Sequence, residues 1–258
     1  SASLPSATNK ETILENELVV IKVSNLGGQI TEVRLKDFKT YNQLPVYIVK
    51  DGNAALNIKF ATTDNRNLET KDLYFEPVLT KTGEDQVLSM KLKIDSDKFI
   101  EYKYTLKPND YMLDFSIKSQ GMEQAINSSQ PVILNWQTKS FRTEKSIKYE
   151  NQFTDIRYMA NNDEFEYLSA QSDKDENEAQ NVNWIAFKQQ FFTSVLLTDQ
   201  TFEKANLISQ NLVQNEDVDS VYTKDFFAAI PLKVNSGNLN YDMNLYYGPV
   251  DYKILKKY

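Results

Sequence analysis

The stretch LSMKLKIDSDKFIEYKYTLKPNDYMLDFSI, residues 88–117, decides the fold, because apolar and polar residues alternate through three successive runs. Two short turns, Asp95–Lys98 and Lys107–Asp110, separate the runs. A period of two is typical of strands with one buried and one solvated face, so the stretch predicts an antiparallel meander. The positions expected to be buried in the first two runs are Leu88, Met90, Leu92, Ile94, Ile100, Tyr102, Tyr104 and Leu106.

More strands are predicted on both sides of this meander. Leu18–Val23 and Ile30–Leu35 are expected to form a hairpin, whose connection contains Gly27 and Gly28. Later strands are expected at Val132–Trp136, Trp184–Phe187, Phe192–Leu197, Phe226–Val234 and Leu239–Tyr247. Because many strands follow one another between turns, without an internal repeat, we expect an all-β domain of two packed, mainly antiparallel sheets.

The most distinctive stretch is WIAFKQQFF, residues 184–192, in which large apolar residues flank a pair of glutamines. We interpret it as a buried strand, a bend at Gln189 and Gln190, and a second buried strand, because a sandwich core needs alternate large residues. An aromatic ligand groove is the alternative interpretation.

The absence of Cys and His from the 258 residues restricts the chemistry open to this chain. Without His there is no Ser-His or Cys-His nucleophile pair, and without either residue the common transition-metal sites lose their usual ligands. The sequence therefore predicts no catalytic residue set, no cofactor and no bound transition metal. Glycoside chemistry run by paired carboxylates remains an alternative that a β sandwich could host.

The net charge of −7 argues against binding to a nucleic-acid backbone and against adhesion to an anionic membrane surface. Most of this charge lies in Asn161–Asn181, which holds seven carboxylates against the single Lys174, a net charge of −6. The spacing of Asp173 and Asp175 imitates a calcium loop, but Glu178 stands where such a loop needs glycine. We predict a solvated, mobile loop here.

The two ends of the chain are expected to lie outside the sandwich. Residues 1–14 are predicted to be a linker or leader without a signal peptide. Gly248 and Pro249 are expected to end the last strand, and Val250–Tyr258 to form a short helix. Val250 and Ile254 share its apolar face, flanked by Leu255, and are expected to dock on the sandwich. Its exposed lysines are Lys253, Lys256 and Lys257.

Four segments resemble the large periplasmic domain of the YidC family of membrane protein insertases of Gram-negative bacteria. They are the WIAFKQQFF stretch, Glu15–Phe38 with its Gly-Gly turn, Tyr102–Ile117, and Leu245–Tyr258 with its Gly-Pro pair. The order of the segments matches the family from beginning to end. The positions that carry this resemblance most clearly are Gly27, Gly28, Trp184, Gln189, Gln190, Phe191, Gly248 and Pro249.

The resemblance implies a β-supersandwich of the galactose-mutarotase-like kind over residues 15–247. Residues 248–258 would then lead as a helix into a membrane core. The domain would lie on the periplasmic side of the bacterial inner membrane, as a non-catalytic scaffold, monomeric in isolation. Its expected partners are Sec translocon accessory proteins and nascent membrane or exported proteins.

Two alternatives stay open beside this resemblance: a carbohydrate-binding or carbohydrate-processing β sandwich, and a cell-surface lipoprotein module. The kinship in shape with mutarotases implies no such activity here, because that chemistry needs His and the chain has none.

Overall fold

The computed structural model describes residues 9–251 and residue 253. Within them the chain forms seventeen β-strands, one short α-helix and a 3-10 turn at Thr70–Asp72. The strands are β1 (Glu11–Glu15), β2 (Val19–Ser24), β3 (Ile30–Lys39), β4 (Pro45–Val49), β5 (Ala54–Ala61), β6 (Asn67–Glu69), β7 (Glu76–Thr82), β8 (Asp85–Asp95), β9 (Lys98–Leu106), β10 (Met112–Gln120), β11 (Val132–Phe141), β12 (Asp155–Ala160), β13 (Glu164–Tyr167), β14 (Lys174–Lys188), β15 (Phe192–Asn211), β16 (Tyr222–Leu232) and β17 (Asn240–Pro249), and the helix is α1 (Ile147–Asn151).

These strands build two sheets, and the predicted all-β, two-sheet architecture is confirmed. Strands β1 to β4 form the smaller sheet in chain order. The larger sheet follows the path β6-β5-β11-β16-β15-β17-β10-β9-β8-β7, with β14, β12 and β13 attached beside β15. Its two halves are joined by β15, whose first part, Phe192–Thr198, pairs with β17, while its last part, Asn206–Asn211, pairs with β16. One apolar core fills the space between the sheets.

The predicted meander is strands β8, β9 and β10, all antiparallel neighbours. Leu88, Met90 and Leu106 are fully buried, whereas Lys91 and Lys93 are partly exposed, so the predicted register is confirmed. The two buried tyrosines satisfy their hydroxyl groups inside the core, as burial of a polar group requires. The Tyr104 hydroxyl donates to the Gly28 carbonyl oxygen at 2.7 Å, and the Tyr102 hydroxyl lies 2.9 Å from Thr70 Oγ1.

Ile94 was expected in the core with its neighbours, and this is wrong, because 53% of its surface is exposed. The pairing of β8 with β9 shifts register between Lys93 and Asp95, at the end of the strand. Ile94 lines an open groove of about 370 Å³ together with Leu92 and Met122.

The expected leader over residues 1–14 is also corrected. Glu11–Glu15 forms strand β1, in which Leu14 pairs with Ile21 and is completely buried. The sandwich therefore begins before residue 15. Residues 1–8 lie outside the described part of the chain.

The acidic segment Asn161–Asn181 was predicted to be a loop, and it is largely strand. Residues 164–167 form β13, and Lys174–Gln180 pair with Lys204–Gln210 of β15. The backbone bonds of this ribbon fix its conformation, while Glu176 and Glu178 stay exposed and Ala179 is buried. Charge on a solvated face is compatible with a strand whose partner supplies the hydrogen bonds.

Candidate interaction site at the C-terminal exit

The glutamine bend of WIAFKQQFF lies at one end of the sandwich, between β14 and β15. The Gln189 N–H donates to the Phe192 carbonyl at 2.8 Å and closes the turn. The Gln189 side chain is buried and donates to the Phe141 carbonyl at 2.7 Å, which ties the bend to β11. Phe191, at the tip, is 52% exposed. The predicted strand, bend and strand are thus confirmed.

The last strand ends beside this bend. Gly248 pairs with Thr193 and Pro249 with Phe192, and the Val250 N–H donates to the Phe191 carbonyl at 2.8 Å. Gly248 and Pro249 were expected to follow the last strand and end it; they are instead its last two residues, and the strand ends at Pro249. Proline is tolerated at this position because it is the last residue of the strand, where its missing N–H breaks no inner rung of the ladder.

Gly248 is required at this position by close packing. A Cβ added there would lie 2.8 Å from the Tyr246 hydroxyl oxygen and 3.0 Å from the Tyr111 ring. The Tyr246 hydroxyl in turn donates to the Pro249 carbonyl, and burial raises the pKa of Tyr246. These contacts fix the direction in which the chain leaves β17.

A small apolar notch lies against the exit, on the outer face of the larger sheet. Trp184 belongs to this face, in a cluster separate from the main core, and its ring centroid lies 5.7 Å from that of Phe165. The remaining space is about 20 Å³, roughly the room for one water molecule. The apolar residues that line the notch are Phe165, Trp184, Ala186, Val195, Tyr246 and Val250. Such a space suits packing of a neighbouring segment better than binding of a ligand.

Four buried charged residues, Glu150, Asp155, Lys188 and Lys224, surround the same end of the sandwich, and we call them the polar shell. The two lysines hold backbone carbonyls of the connection from β11 to β12. Lys188 Nζ donates to the Phe153 carbonyl at 2.9 Å, and Lys224 Nζ donates to the Asn151 carbonyl at 2.6 Å. Burial lowers the pKa of both lysines, that of Lys224 to about 8, and the Asp155 carboxylate partly opposes this.

The two acids of the polar shell are held in different ways. Asp155 forms an ion pair with Arg157 at 3.0 Å, although burial outweighs this partner and raises the pKa of Asp155. Glu150 accepts hydrogen bonds from the Thr143 N–H at 3.1 Å and from the Thr143 hydroxyl at 2.7 Å. Burial is again the larger effect and raises the pKa of Glu150 to about 7.

The structure brings together most of the residues that sequence reasoning singled out. Trp184, Gln189, Gln190 and Phe191 lie on the β14–β15 hairpin, next to the exit residues 248–250. The residues missed were those of the polar shell. Lys188 carried a signal, since it interrupts an apolar run, but the other three stand in segments that look like ordinary surface.

The Gly27-Gly28 turn does not belong to this site. Both residues have positive φ angles, +83° and +60°, which favour glycine. A Cβ on Gly28 would lie 2.8 Å from the Phe75 ring, so this turn serves the packing of the smaller sheet.

The predicted C-terminal helix lies mostly outside the described residues, including Ile254, Leu255, Lys256 and Lys257. Val250 and Asp251 are not helical, so a helix cannot begin at Val250 as expected. The Asp251 carboxylate accepts a hydrogen bond from the N–H of the exposed Lys253 at 2.8 Å, as a residue that caps the start of a helix does.

Among residues 9–251 and 253, no group of three or more acidic side chains is arranged to hold a metal ion. In the same part of the chain, no helix has the length and apolar character needed to cross a bilayer.

Comparison with protein families and relatives gives a consistent result. The family described as the YidC periplasmic domain matches residues 12–258. The Bacteroides fragilis protein named membrane protein insertase YidC is 35% identical over 246 residues, which are 95% of this chain and 38% of that protein. The protein of the same name from Porphyromonas gingivalis is 32% identical over 261 residues, 100% of this chain and 40% of its own length. The chain thus spans about two fifths of these relatives.

Solved structures with the same fold carry sugar-related names. A putative aldose 1-epimerase from Escherichia coli K12 has a TM-score of 0.58 at 9% identity, covering 94% of this chain and 100% of its own. A galactose mutarotase-like protein from Lactobacillus casei has a TM-score of 0.54 at 9% identity, covering 93% and 100%. At this identity the likeness shows the fold alone, and it confirms the expected galactose-mutarotase-like β sandwich.

Proposed function

The chain belongs to the family of YidC periplasmic domains, and from this premise we propose that it is a non-catalytic interaction and scaffold domain of a membrane protein insertase. It would act on the periplasmic side of the bacterial inner membrane, with Sec translocon accessory proteins and nascent membrane or exported proteins as partners. The curated relatives are named for membrane protein insertion, which supports membrane anchoring and membrane-protein substrates.

The observation that carries the scaffold role is the rigid exit of the chain. Gly248, Pro249 and Val250 are held by strand pairing, by the Tyr246 hydroxyl and by the Phe191 carbonyl. A flexible tether needs none of these contacts. The domain is therefore proposed to transmit its orientation to the part of the protein that follows.

The segment after Val250 is proposed to complete this coupling. Val250 already lines the apolar notch, and a short amphipathic helix in water needs packing to be stable. Ile254 and Leu255 would dock on the outer face, and Lys253, Lys256 and Lys257 would face the headgroups of the bilayer. Burial of two aliphatic side chains would contribute about 3–5 kcal/mol at most.

The coupling is tested with Val250→Asp and Ile254→Asp in the full-length protein, reconstituted in membranes. Both changes should raise hydrogen exchange at residues 248–258 and reduce the amount of Sec accessory protein that copurifies. The matched control is Val218→Asp, because Val218 is 73% exposed in a loop. Wild-type exchange and copurification in both exit variants would refute the coupling.

The fold is compatible with a sugar-binding domain, which is the alternative. No residue described above points to sugar binding. A glycan array probed with the pure chain separates the two proposals. Specific glycan binding, lost on changes around one groove, would favour the alternative over the scaffold role.

A further inference from the structure

Exposed apolar side chains accumulate at the end of the sandwich from which the chain exits. Each of them is between 39% and 57% exposed, and they come from four separate connections between strands. They are Tyr41, Leu44, Tyr149, Phe153, Phe191 and Val221, and we call them the exit face. Large exposed apolar residues that share one surface mark an interaction site more often than single ones do.

Contacts in the structure show that these residues are neighbours. The Tyr41 N–H donates to the Thr143 carbonyl at 2.9 Å, and the Arg142 guanidinium lies over the Tyr41 ring at 4.6 Å. The Arg142 N–H donates to the Val221 carbonyl at 2.8 Å. A groove of about 250 Å³ runs between Tyr41, Leu44 and Val221.

The other half of the exit face continues from this groove to the chain exit. Tyr149 and Phe153 pack edge to face on α1 and the residues after it, with ring centroids 5.0 Å apart. The Phe153 carbonyl is held by Lys188, one residue before the glutamine bend, and the Phe191 carbonyl is held by Val250. The exit face and the departing chain therefore lie on the same end of the domain.

Charged residues of both signs lie among these side chains. Lys50, Asp51 and Arg142 line the groove between Tyr41, Leu44 and Val221. Glu150 is buried and bound to Thr143, so its carboxylate does not face a partner. The uncharged contact surface at this end consists of tyrosine, phenylalanine and aliphatic side chains.

We propose that the exit face inserts into the headgroup region of a phospholipid bilayer. The proposal rests on the proposed function, in which the chain beyond the exit leads to the membrane. Aromatic and aliphatic side chains interspersed with Lys and Arg are typical of surfaces that lie at the membrane–water boundary. Because apolar side chains carry the insertion, binding is expected with uncharged as well as with anionic lipid.

The absence of cysteine makes a direct test possible. Phe191→Cys and Tyr149→Cys are labelled with an environment-sensitive fluorophore and titrated with phosphatidylcholine vesicles and with 3:1 phosphatidylethanolamine–phosphatidylglycerol vesicles. Emission should shift to the blue with both vesicles, and the shift should survive 0.5 M salt. Ile94→Cys is the matched control, because Ile94 is exposed to the same degree at another end of the sandwich, and its label should not respond.

A second measurement uses the unlabelled chain and vesicle flotation. The double variant Phe191→Ser, Tyr149→Ser should float about tenfold less, a loss of about 1.4 kcal/mol in partitioning. Ile94→Ser should float like the wild type. Both changes are at exposed positions, and an unchanged melting temperature verifies that the variants fold.

Three results would overturn the proposal: no blue shift at positions 149 and 191 at several millimolar lipid, an equal shift at position 94, or a shift with anionic vesicles only. A shift seen in the reconstituted full-length protein but not with vesicles and the isolated chain would assign the face to a protein contact instead. Failure of the coupling test with intact vesicle binding would refute the coupling and leave the lipid contact standing.

Discussion

The meander and the polar shell are buried to the same degree by opposite means. In β8–β10, Leu88, Met90 and Leu106 reach complete burial through aliphatic and aromatic neighbours. At the exit, Glu150 and Lys224 are as fully buried, yet each is held by hydrogen bonds to the backbone or to hydroxyl groups. The first arrangement gains free energy from desolvation, whereas the second must offset its cost.

The two regions are therefore expected to contribute to stability in different ways. The apolar meander supplies stability that depends on packing and hardly on pH. The polar shell orders the connection between β11 and β12, including α1, beside the residues through which the chain leaves. Because burial raises the pKa of Glu150 to about 7 and lowers that of Lys224 to about 8, the contribution of the polar shell is expected to depend on pH.

The largest effect is expected inside the meander, where the sequence pattern treats Leu88 and Ile94 as equivalent. Leu88→Ala should lower the free energy of unfolding by about 2–5 kcal/mol, because it leaves a cavity in a close-packed core. Ile94→Ala should change it by no more than about 0.5 kcal/mol, because that side chain is half exposed. Urea denaturation of both variants measures the difference, and equal losses would mean that Ile94 is packed after all.

The second effect concerns the pH dependence of the polar shell. The pKa of Glu150 rises from 4.5 to about 7 on folding, so the folded protein retains a proton that the unfolded chain releases between these values. The free energy of unfolding should therefore rise as the pH falls from 7 towards 4.5, by at most about 3 kcal/mol from this residue.

Glu150→Gln isolates this contribution, because glutamine keeps a carbonyl oxygen for the Thr143 donors and does not titrate. Urea denaturation at pH 7.5 and pH 5.0 should show a gain on acidification that is larger in the wild type than in the variant. The control is Glu84→Gln, at an exposed carboxylate in the turn between β7 and β8. The same pH dependence in wild type and Glu150→Gln would place the titration elsewhere.

The two regions also differ in how far the sequence predicted them. The meander is predicted by an alternation of apolar and polar residues over thirty residues. The same alternation indicates which side chains are buried and where the turns lie. Ile94 departs from it because the pairing of β8 with β9 shifts register between Lys93 and Asp95, which the alternation of residues does not reveal. The polar shell joins Glu150, Lys188 and Lys224, which are far apart in sequence and show no common spacing. No local pattern can report that convergence.

The candidate site was predictable in its parts and not in its assembly. The bend at Gln189 and the Gly248-Pro249 pair were both singled out, although they are about sixty residues apart. Their contact depends on the pairing of β15 with β17. The order of strands in a sheet cannot be read from the sequence of either segment. The prediction of a loop for the acidic segment was wrong because it relied on the charged composition. The weak alternation that places Ala179 inwards was given too little weight.

The smallest effect is expected in that acidic ribbon, and it tests whether charge or pairing maintains the strand. Glu178 forms an ion pair with Lys204 at 3.2 Å, but both side chains are more than 40% exposed. Glu178→Gln should change the free energy of unfolding by less than about 0.5 kcal/mol at low salt, and by nothing measurable in 1 M salt. Hydrogen exchange at Lys174–Gln180 should stay slow in the variant, because backbone bonds to β15 hold the segment. Fast exchange of these amides in Glu178→Gln would mean that the ion pair holds the ribbon. Charged side chains would then fix the backbone at the surface as well as in the polar shell.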